Sequence, residues 1–220
     1  MVLIFDLDDT LYEERTYVAS GFRAVAFWGQ ERYGWDPNHS FVSLISVLEA
    51  EGRGTVFNRW LESNGIRSKK AIKECVKVYR HHIPNISVPE EIKKLLASFF
   101  DFPLYLVTDG HKIVQANKID ALGIAHFFRR CYITHRYGVA CAKPSLRCFE
   151  LIKAKEGCSW KEMVYIGDNP AKDFVGLNFV GAHTIRVKTG MYQNTVAKHG
   201  YEAQHAIADI LHLPSIIATL

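Results

Sequence analysis

The chain begins with an apolar stretch that ends in a group of acids, Met1-Val2-Leu3-Ile4-Phe5-Asp6-Leu7-Asp8-Asp9-Thr10-Leu11. The apolar run predicts a buried strand, and three carboxylates follow it at once. Such an ending is costly, because like charges repel one another and resist transfer out of water. Acids also occur in solvated turns after strands, and this segment alone fits that interpretation as well.

The same pattern occurs twice more along the chain. The apolar run 103–107 leads into Thr108-Asp109-Gly110, and the run 163–167 leads into Asp168-Asn169-Pro170. Open parallel sheets build their sites from polar groups at the carboxyl ends of the strands. Three strands with such endings therefore favour an active site over three unrelated turns.

Composition narrows the class of protein. The 220 residues are 48% hydrophobic and 23% charged, which is typical of a folded chain with a substantial core. The net charge of +4 is too small and too dispersed to indicate nucleic-acid binding. No apolar run approaches the ~20 residues that cross a bilayer, and Asp6 interrupts the N-terminal run too early for a signal peptide. Five cysteines without a C-x-x-C pair indicate free thiols, so we expect a cytoplasmic protein.

The chain contains segments with two kinds of hydrophobic pattern. Residues 14–85 carry helical periodicity with breaks at glycines and contain no convincing strand, which predicts about four helices. Residues 1–13 and 86–220 alternate between strand-like and helix-like segments. Such alternation implies a parallel sheet with right-handed crossovers. We therefore predict an α/β fold, a doubly wound parallel sheet interrupted by a helical insertion.

Six polar residues fall at the predicted strand ends or in the same layer of loops: Asp6, Asp8, Thr108, Lys143, Asp168 and Asp173. Carboxylate oxygens suit Mg²⁺, which binds one or two protein carboxylates, several waters and a substrate phosphate. The cation would offset the repulsion among the acids. A lysine ammonium and a threonine hydroxyl can bind the remaining phosphoryl oxygens. The set predicts a site for Mg²⁺ and a phosphate.

The motifs resemble those of one enzyme superfamily. Asp6-x-Asp8-x-Thr10, Thr108, Lys143-Pro144, and Gly167-Asp168 followed after four residues by Asp173 resemble, in order, the four motifs of the haloacid dehalogenase-like hydrolases. The resemblance covers essentially the whole chain. It implies a Rossmann-like core of residues 1–13 and 86–220, with residues 14–85 as a helical cap. The position of the insertion is similar to that of the phosphatase branch, whose cap lies between the first and second motifs.

The resemblance also implies roles for individual residues. Asp6 is expected to be the nucleophile that forms an aspartyl-phosphate, and Asp8 the general acid/base. Thr108 and the backbone N–H of Asp109 would bind the phosphate. Lys143 would neutralise the nucleophile and the transferred group. Position 109 often holds asparagine in such enzymes, so the aspartate leaves the local hydrogen bonding open.

The same resemblance implies a metal site. Mg²⁺ would be bound by Asp6, the backbone carbonyl of Asp8 and the side chain of Asp168. Asp173 would support the metal and the lysine from outside the ligand set. Thr10 would fix the turn.

An acid at position 8 distinguishes phosphoester hydrolases of this superfamily from members that cleave carbon–halogen bonds or phosphonates. We therefore expect an enzyme, a Mg²⁺-dependent phosphomonoester hydrolase that acts on a small soluble phosphorylated metabolite. We expect no nucleic-acid or membrane partner, and a monomer or homodimer.

A phosphomutase, which passes the phosphoryl group to a second hydroxyl, stays open as an alternative. So does a non-catalytic binding protein on a phosphatase scaffold, although loss of the nucleophile, acid or lysine would be its expected signature.

Arg53 lies between two glycines of the insertion. Cap loops in such enzymes overhang the phosphate, which makes Arg53 a candidate substrate anchor. A solvated loop arginine is the more common case. The core motifs do not select the leaving group, so the identity of the substrate is not predicted.

Overall fold

The computed structural model describes all 220 residues. Its strands are β1 (Val2–Phe5), β2 (Leu104–Thr108), β3 (Arg130–Ile133), β4 (Met163–Gly167), β5 (His183–Val187) and β6 (His205–Ile207). They form one sheet in the order β3-β2-β1-β4-β5-β6, and all neighbouring pairs are parallel. The predicted α/β fold with a doubly wound parallel sheet is confirmed.

The helices are α1 (Glu14–Tyr33), α2 (Pro37–Glu51), α3 (Val56–Ser63), α4 (Lys69–His81), α5 (Glu90–Ser98), α6 (Lys112–Leu122), α7 (Arg147–Glu156), α8 (Val175–Val180) and α9 (Leu213–Ile217). The longest, α1, has 20 residues but lacks the apolar window that a membrane span requires, and the other helices are too short.

The three strands with polar endings lie together at the centre of the sheet. Strands β1, β2 and β4 are buried along their whole length, as expected for parallel strands covered on both faces. In the register of the sheet, Phe5 lies beside Leu106 on one side and Ile166 on the other. Strand order reverses at β1, because β2 and β4 flank it. The polar residues that follow these strands therefore meet at one edge, at the topological switch point where α/β sheets bind ligands.

Contacts divide the chain into two compact units, residues Met1–Glu14 with Ser87–Leu220, and residues Arg15–Ile86. The first unit holds the sheet and helices α5 to α9. The second contains helices and no strand, and it has an apolar core of its own around the fully buried Trp60 and Leu44. The first unit has a core of its own around Tyr105 and Tyr165, so each unit forms a separate apolar core.

Candidate active site

The loop after β1 turns at Asp9, whose φ of 51° lies in the left-handed region that non-glycine residues rarely adopt. Three contacts offset this strain. The N–H of Glu14 donates to Asp9 Oδ1 at 2.8 Å, the N–H of Met191 donates to Oδ2 at 3.3 Å, and the Thr189 hydroxyl donates to the Asp9 carbonyl. The turn therefore depends on the loop that follows β5, far away in the chain.

Three buried acids meet where β1 and β4 end. One carboxylate oxygen from each of Asp6, Asp168 and Asp173 lies within 4.8 Å of the other two, and each residue is at most 4% exposed. Burial raises the pKa of Asp6 and of Asp168, and the negative charge of Asp173 raises both further. An excess of buried negative charge on oxygen donors is what a hard divalent cation requires. The donor set therefore fits Mg²⁺.

Lys143 is the cation within this cluster. Its Nζ lies 3.0 Å from Asp6 Oδ1 and 2.7 Å from Asp173 Oδ1, and it donates to the Tyr165 hydroxyl at 2.8 Å. Burial alone would lower the pKa of Lys143, but Asp173 and Asp6 outweigh burial and raise that pKa well above its usual value. The ammonium therefore stays charged beside the first acid of the chain.

Asp173 has protein donors on both of its oxygens. Oδ1 pairs with Lys143, and Oδ2 accepts the backbone N–H of Asn169 at 2.9 Å. A Cβ at Gly167 would lie 2.7 Å from Asp173 Oδ2, so only glycine allows this approach at the end of β4. Both oxygens of Asp173 are therefore engaged by the protein, and its supporting role beside a metal stays a prediction.

The carboxylate of Asp109 has three donors from separate parts of the chain. Oδ1 accepts the Thr134 hydroxyl at 2.7 Å and the backbone N–H of Lys143 at 3.1 Å, and Oδ2 lies 3.1 Å from Lys172 Nζ. Burial would raise the pKa of Asp109, but the two lysines and these hydrogen bonds outweigh it and hold that pKa below its usual value. Both carboxylate oxygens of Asp109 therefore have donors, so an aspartate in place of the more usual asparagine leaves no oxygen unpaired here.

Asp8 lies outside the acidic cluster, and its side chain is bound by Tyr12 of the same loop and by two residues of α6. Its Oδ1 accepts the Tyr12 hydroxyl at 2.6 Å and pairs with Lys118 Nζ at 2.7 Å, and its Oδ2 accepts the Gln115 amide at 2.9 Å. The same amide nitrogen donates to Thr108 Oγ1 at 2.5 Å. Helix α6 therefore holds the second acid of the first motif and the hydroxyl at the end of β2.

A family model described as haloacid dehalogenase-like hydrolase matches residues 1–181. The chain belongs to this family. Relatives include a glyceraldehyde 3-phosphate phosphatase of Methanopyrus kandleri, 38% identical over 202 residues, 87% of this chain and 85% of the relative. A phosphoserine phosphatase of Thermus thermophilus is 28% identical over 230 residues, 86% of this chain and 89% of the relative.

Solved structures of haloacid dehalogenase-like hydrolases share the fold. A 2-haloacid dehalogenase of Pseudomonas syringae has a TM-score of 0.68 at 21% identity and covers 100% of this chain and 99% of its own. A hydrolase of Bacillus subtilis solved with magnesium has a TM-score of 0.71 at 19% identity, over 98% and 97% of the two chains. The family model and the relative from Methanopyrus kandleri confirm the predicted family, and the solved structures show that the fold is shared.

Sequence reasoning missed a second lysine of this hydrolase. Lys172 directly precedes Asp173, and its Nζ binds Asp109. Burial and the charge of Lys143 would lower the pKa of Lys172, but the neighbouring acids, Asp6 first among them, raise it overall. The sequence did contain a signal for Lys172, because it is a basic residue within the fourth motif, between Asp168 and Asp173.

The remaining sequence-predicted residue, Arg53, is exposed and follows α2 in the Arg15–Ile86 unit. Its role as a substrate anchor stays a prediction. Thr10 is buried, in keeping with a position inside the turn.

Proposed function

We propose that the protein is a Mg²⁺-dependent phosphomonoesterase that acts on a small organic phosphate through an aspartyl-phosphate at Asp6. The observation that carries this proposal is the buried Lys143 ammonium, 3.0 Å from Asp6, beside acids whose oxygens lie within 4.8 Å of one another. The names of the curated relatives, all phosphatases, support the same reaction class.

In the first chemical step, a carboxylate oxygen of Asp6 attacks phosphorus. A bond between that oxygen and phosphorus forms, the ester P–O bond breaks, and the departing alkoxide takes a proton from Asp8. In the second step the Asp8 carboxylate accepts a proton from water while the water oxygen attacks phosphorus. Inorganic phosphate leaves and the Asp6 carboxylate is regenerated. A general acid/base in this position contributes about 10²–10⁴ to the rate.

The charged groups of the chain divide the remaining work. Lys143 neutralises Asp6 and the phosphoryl group that it receives. Asp6, the backbone carbonyl of Asp8 and Asp168 would hold Mg²⁺, and Asp173 would orient Lys143 and the loop after β4. When bound, the cation supplies positive charge that polarises the phosphoryl oxygens.

The phosphate would be held at the end of β2. Because Gln115 donates to the Thr108 oxygen, the Thr108 hydroxyl proton is directed to another acceptor, and a phosphoryl oxygen fits that role. The backbone N–H of Asp109 would supply a second donor, and Lys172 a second positive charge.

We further propose a substrate of three-carbon size. The relatives are named for glyceraldehyde 3-phosphate and phosphoserine, which are both small phosphomonoesters with three carbons. The Arg15–Ile86 unit would act as the cap that selects the leaving group, with Arg53 as the candidate contact.

Phosphate release from three-carbon phosphomonoesters, with Mg²⁺ and with EDTA, tests the proposal. We expect Mg²⁺-dependent turnover that Asp6→Asn abolishes, while Asp101→Asn, at an exposed acid, leaves it unchanged. Full Mg²⁺-dependent activity of Asp6→Asn would contradict the mechanism. Isomerised sugar phosphate without free phosphate would instead identify a phosphomutase.

A further inference from the structure

The two oxygens of Asp8 have unequal surroundings. Oδ1 accepts two hydrogen bonds, from the Tyr12 hydroxyl at 2.6 Å and from Lys118 Nζ at 2.7 Å. Oδ2 accepts one, from Gln115 Nε2 at 2.9 Å. A carboxylate oxygen has about two acceptor sites, so Oδ1 is saturated by the protein and Oδ2 retains one free site.

The orientation of Gln115 follows from its neighbours. Its side chain is fully buried, and its amide faces both Asp8 Oδ2 and Thr108 Oγ1. The amide nitrogen, and not the amide oxygen, lies within hydrogen-bond distance of both oxygens, so Gln115 is the donor in both contacts. Gln115 therefore fixes the distance between the acid/base and the phosphate-binding hydroxyl with one rigid amide.

Lys118 is placed at a high cost. Its side chain is 2% exposed, and its Nζ contacts Asp8 Oδ1 at 2.7 Å and Glu14 Oε1 at 3.2 Å. Moving an ammonium out of water is expensive unless close carboxylates repay the loss. A buried apolar side chain would cover this part of α6 without that cost. A buried lysine at position 118 is explained if its ammonium holds the Asp8 carboxylate in place.

We infer that Tyr12, Gln115 and Lys118 are positioning residues that lock the Asp8 carboxylate so that proton transfer with the leaving group and the water occurs at Oδ2. This inference rests on the proposed function and adds residues that the four motifs do not contain. The three residues act through Asp8 and are not expected to touch the phosphate. Gln115 also contacts Thr108, the residue that is proposed to bind the phosphate.

The leaving group provides the test. An alkoxide is a strong base and requires protonation as it departs, whereas p-nitrophenolate is a weak base that leaves without it. The value of kcat/KM reports steps up to formation of the phosphoenzyme, before the two substrates share a common intermediate. Loss of Asp8 orientation should therefore lower kcat/KM for glyceraldehyde 3-phosphate and spare that for p-nitrophenyl phosphate.

We expect Lys118→Met to lower kcat/KM for glyceraldehyde 3-phosphate at least tenfold, towards the ~10²–10⁴ that a general acid provides. The value for p-nitrophenyl phosphate should change little. Lys112→Met, at an exposed lysine of the same helix, is the matched control and should match the wild type on both substrates.

Equal losses on both substrates, or no loss on either, would overturn the inference. Should Lys118→Met fail to fold, Tyr12→Phe, which removes only one hydroxyl, decides the question by the same ratio of the two kcat/KM values. A wild-type protein that releases phosphate from no three-carbon phosphomonoester and not from p-nitrophenyl phosphate would overturn the proposed function itself, and that outcome is read before any variant is compared. If phosphoserine is the better alkyl substrate, it replaces glyceraldehyde 3-phosphate in the comparison.

Discussion

Lys143 Nζ lies between two carboxylates, 3.0 Å from Asp6 Oδ1 and 2.7 Å from Asp173 Oδ1. All three side chains are at most 5% exposed. One buried ammonium thus joins the end of β1 to the loop after β4. Without it, the buried carboxylates of Asp6 and Asp173 would repel one another with no positive charge between them.

Replacement of Lys143 should therefore affect stability as well as activity. Removing one partner of a buried ion pair costs about 3–5 kcal/mol, because the other charge is left uncompensated. We expect Lys143→Met to lower the free energy of unfolding by this order in metal-free buffer, measured by denaturant titration. Lys161→Met, at an exposed lysine, is the control. Unchanged stability of Lys143→Met would show that the contact contributes nothing to the fold.

Mg²⁺ should stabilise the folded protein in a measurement that needs no turnover. A ligand that binds only the native state at 100 times its Kd stabilises it by about 2.7 kcal/mol. We expect a higher Tm with MgCl₂ than with EDTA, and loss of this difference in Asp168→Asn. Asp101→Asn should keep the full difference. A Tm of Asp168→Asn that responds to Mg²⁺ as the wild type does would remove Asp168 from the metal site.

Lys172 should contribute to binding of the phosphate through its charge. Its Nζ is held by Asp109 Oδ2 at 3.1 Å and interacts with Asp6. We expect Lys172→Met to raise KM and the inhibition constant of inorganic phosphate about tenfold, the equivalent of ~1.4 kcal/mol. Lys172→Arg retains the charge and should restore most of the affinity. If Lys172→Met and Lys172→Arg behave alike, charge is not the cause.

His82 should make stability depend on pH. Its Nδ1 lies 2.7 Å from the Tyr79 carbonyl, and burial lowers the pKa of His82 below its ordinary value of 6.5. The unfolded chain then binds a proton more readily than the folded one, so stability falls as the pH drops below about 6.5. We expect His82→Gln to flatten the rise in unfolding free energy between about pH 5 and pH 7. The exposed His81, changed to Gln, should leave that slope unaltered.

Gly190 should be essential for the turn at Asp9. A Cβ at Gly190 would lie 2.1 Å from Asp9 Cγ, and the φ of Gly190 is +60°. Gly190→Ala should lower stability and kcat, because Asp9 must move and Asp8 precedes it. Gly200→Ala is the control: its φ is +78°, but nothing lies within 4 Å of the added Cβ. Similar effects of the two variants would reduce the result to backbone strain alone.

The positions of Asp6, Thr108 and Asp168 were predictable because each follows an uninterrupted apolar run. Parallel strands of one sheet bring such endings to the same edge, whatever their separation along the chain. The family could be predicted from the four ordered motifs. The catalytic and metal-binding roles stay predictions.

The side chains that hold Asp8 were not predictable in the same way. Gln115 and Lys118 are spaced as neighbours on one helix face, a pattern that solvated helices also show. Both are buried only because α6 packs with that face towards the loop after β1. Likewise, Asp109 has donors from three distant segments, and no local pattern reveals such pairings.

Strand β1 precedes both of its neighbours by long stretches of chain. Leu3 lies beside Leu104 on one side and Val164 on the other. Closing such long loops lowers the entropy of the chain before the new contacts stabilise it, so we expect these pairings to form slowly. A chain emerging from a ribosome cannot enclose β1 until β4 has been synthesised. Asp6 therefore meets Asp168 and Asp173 only after most of the chain has been synthesised.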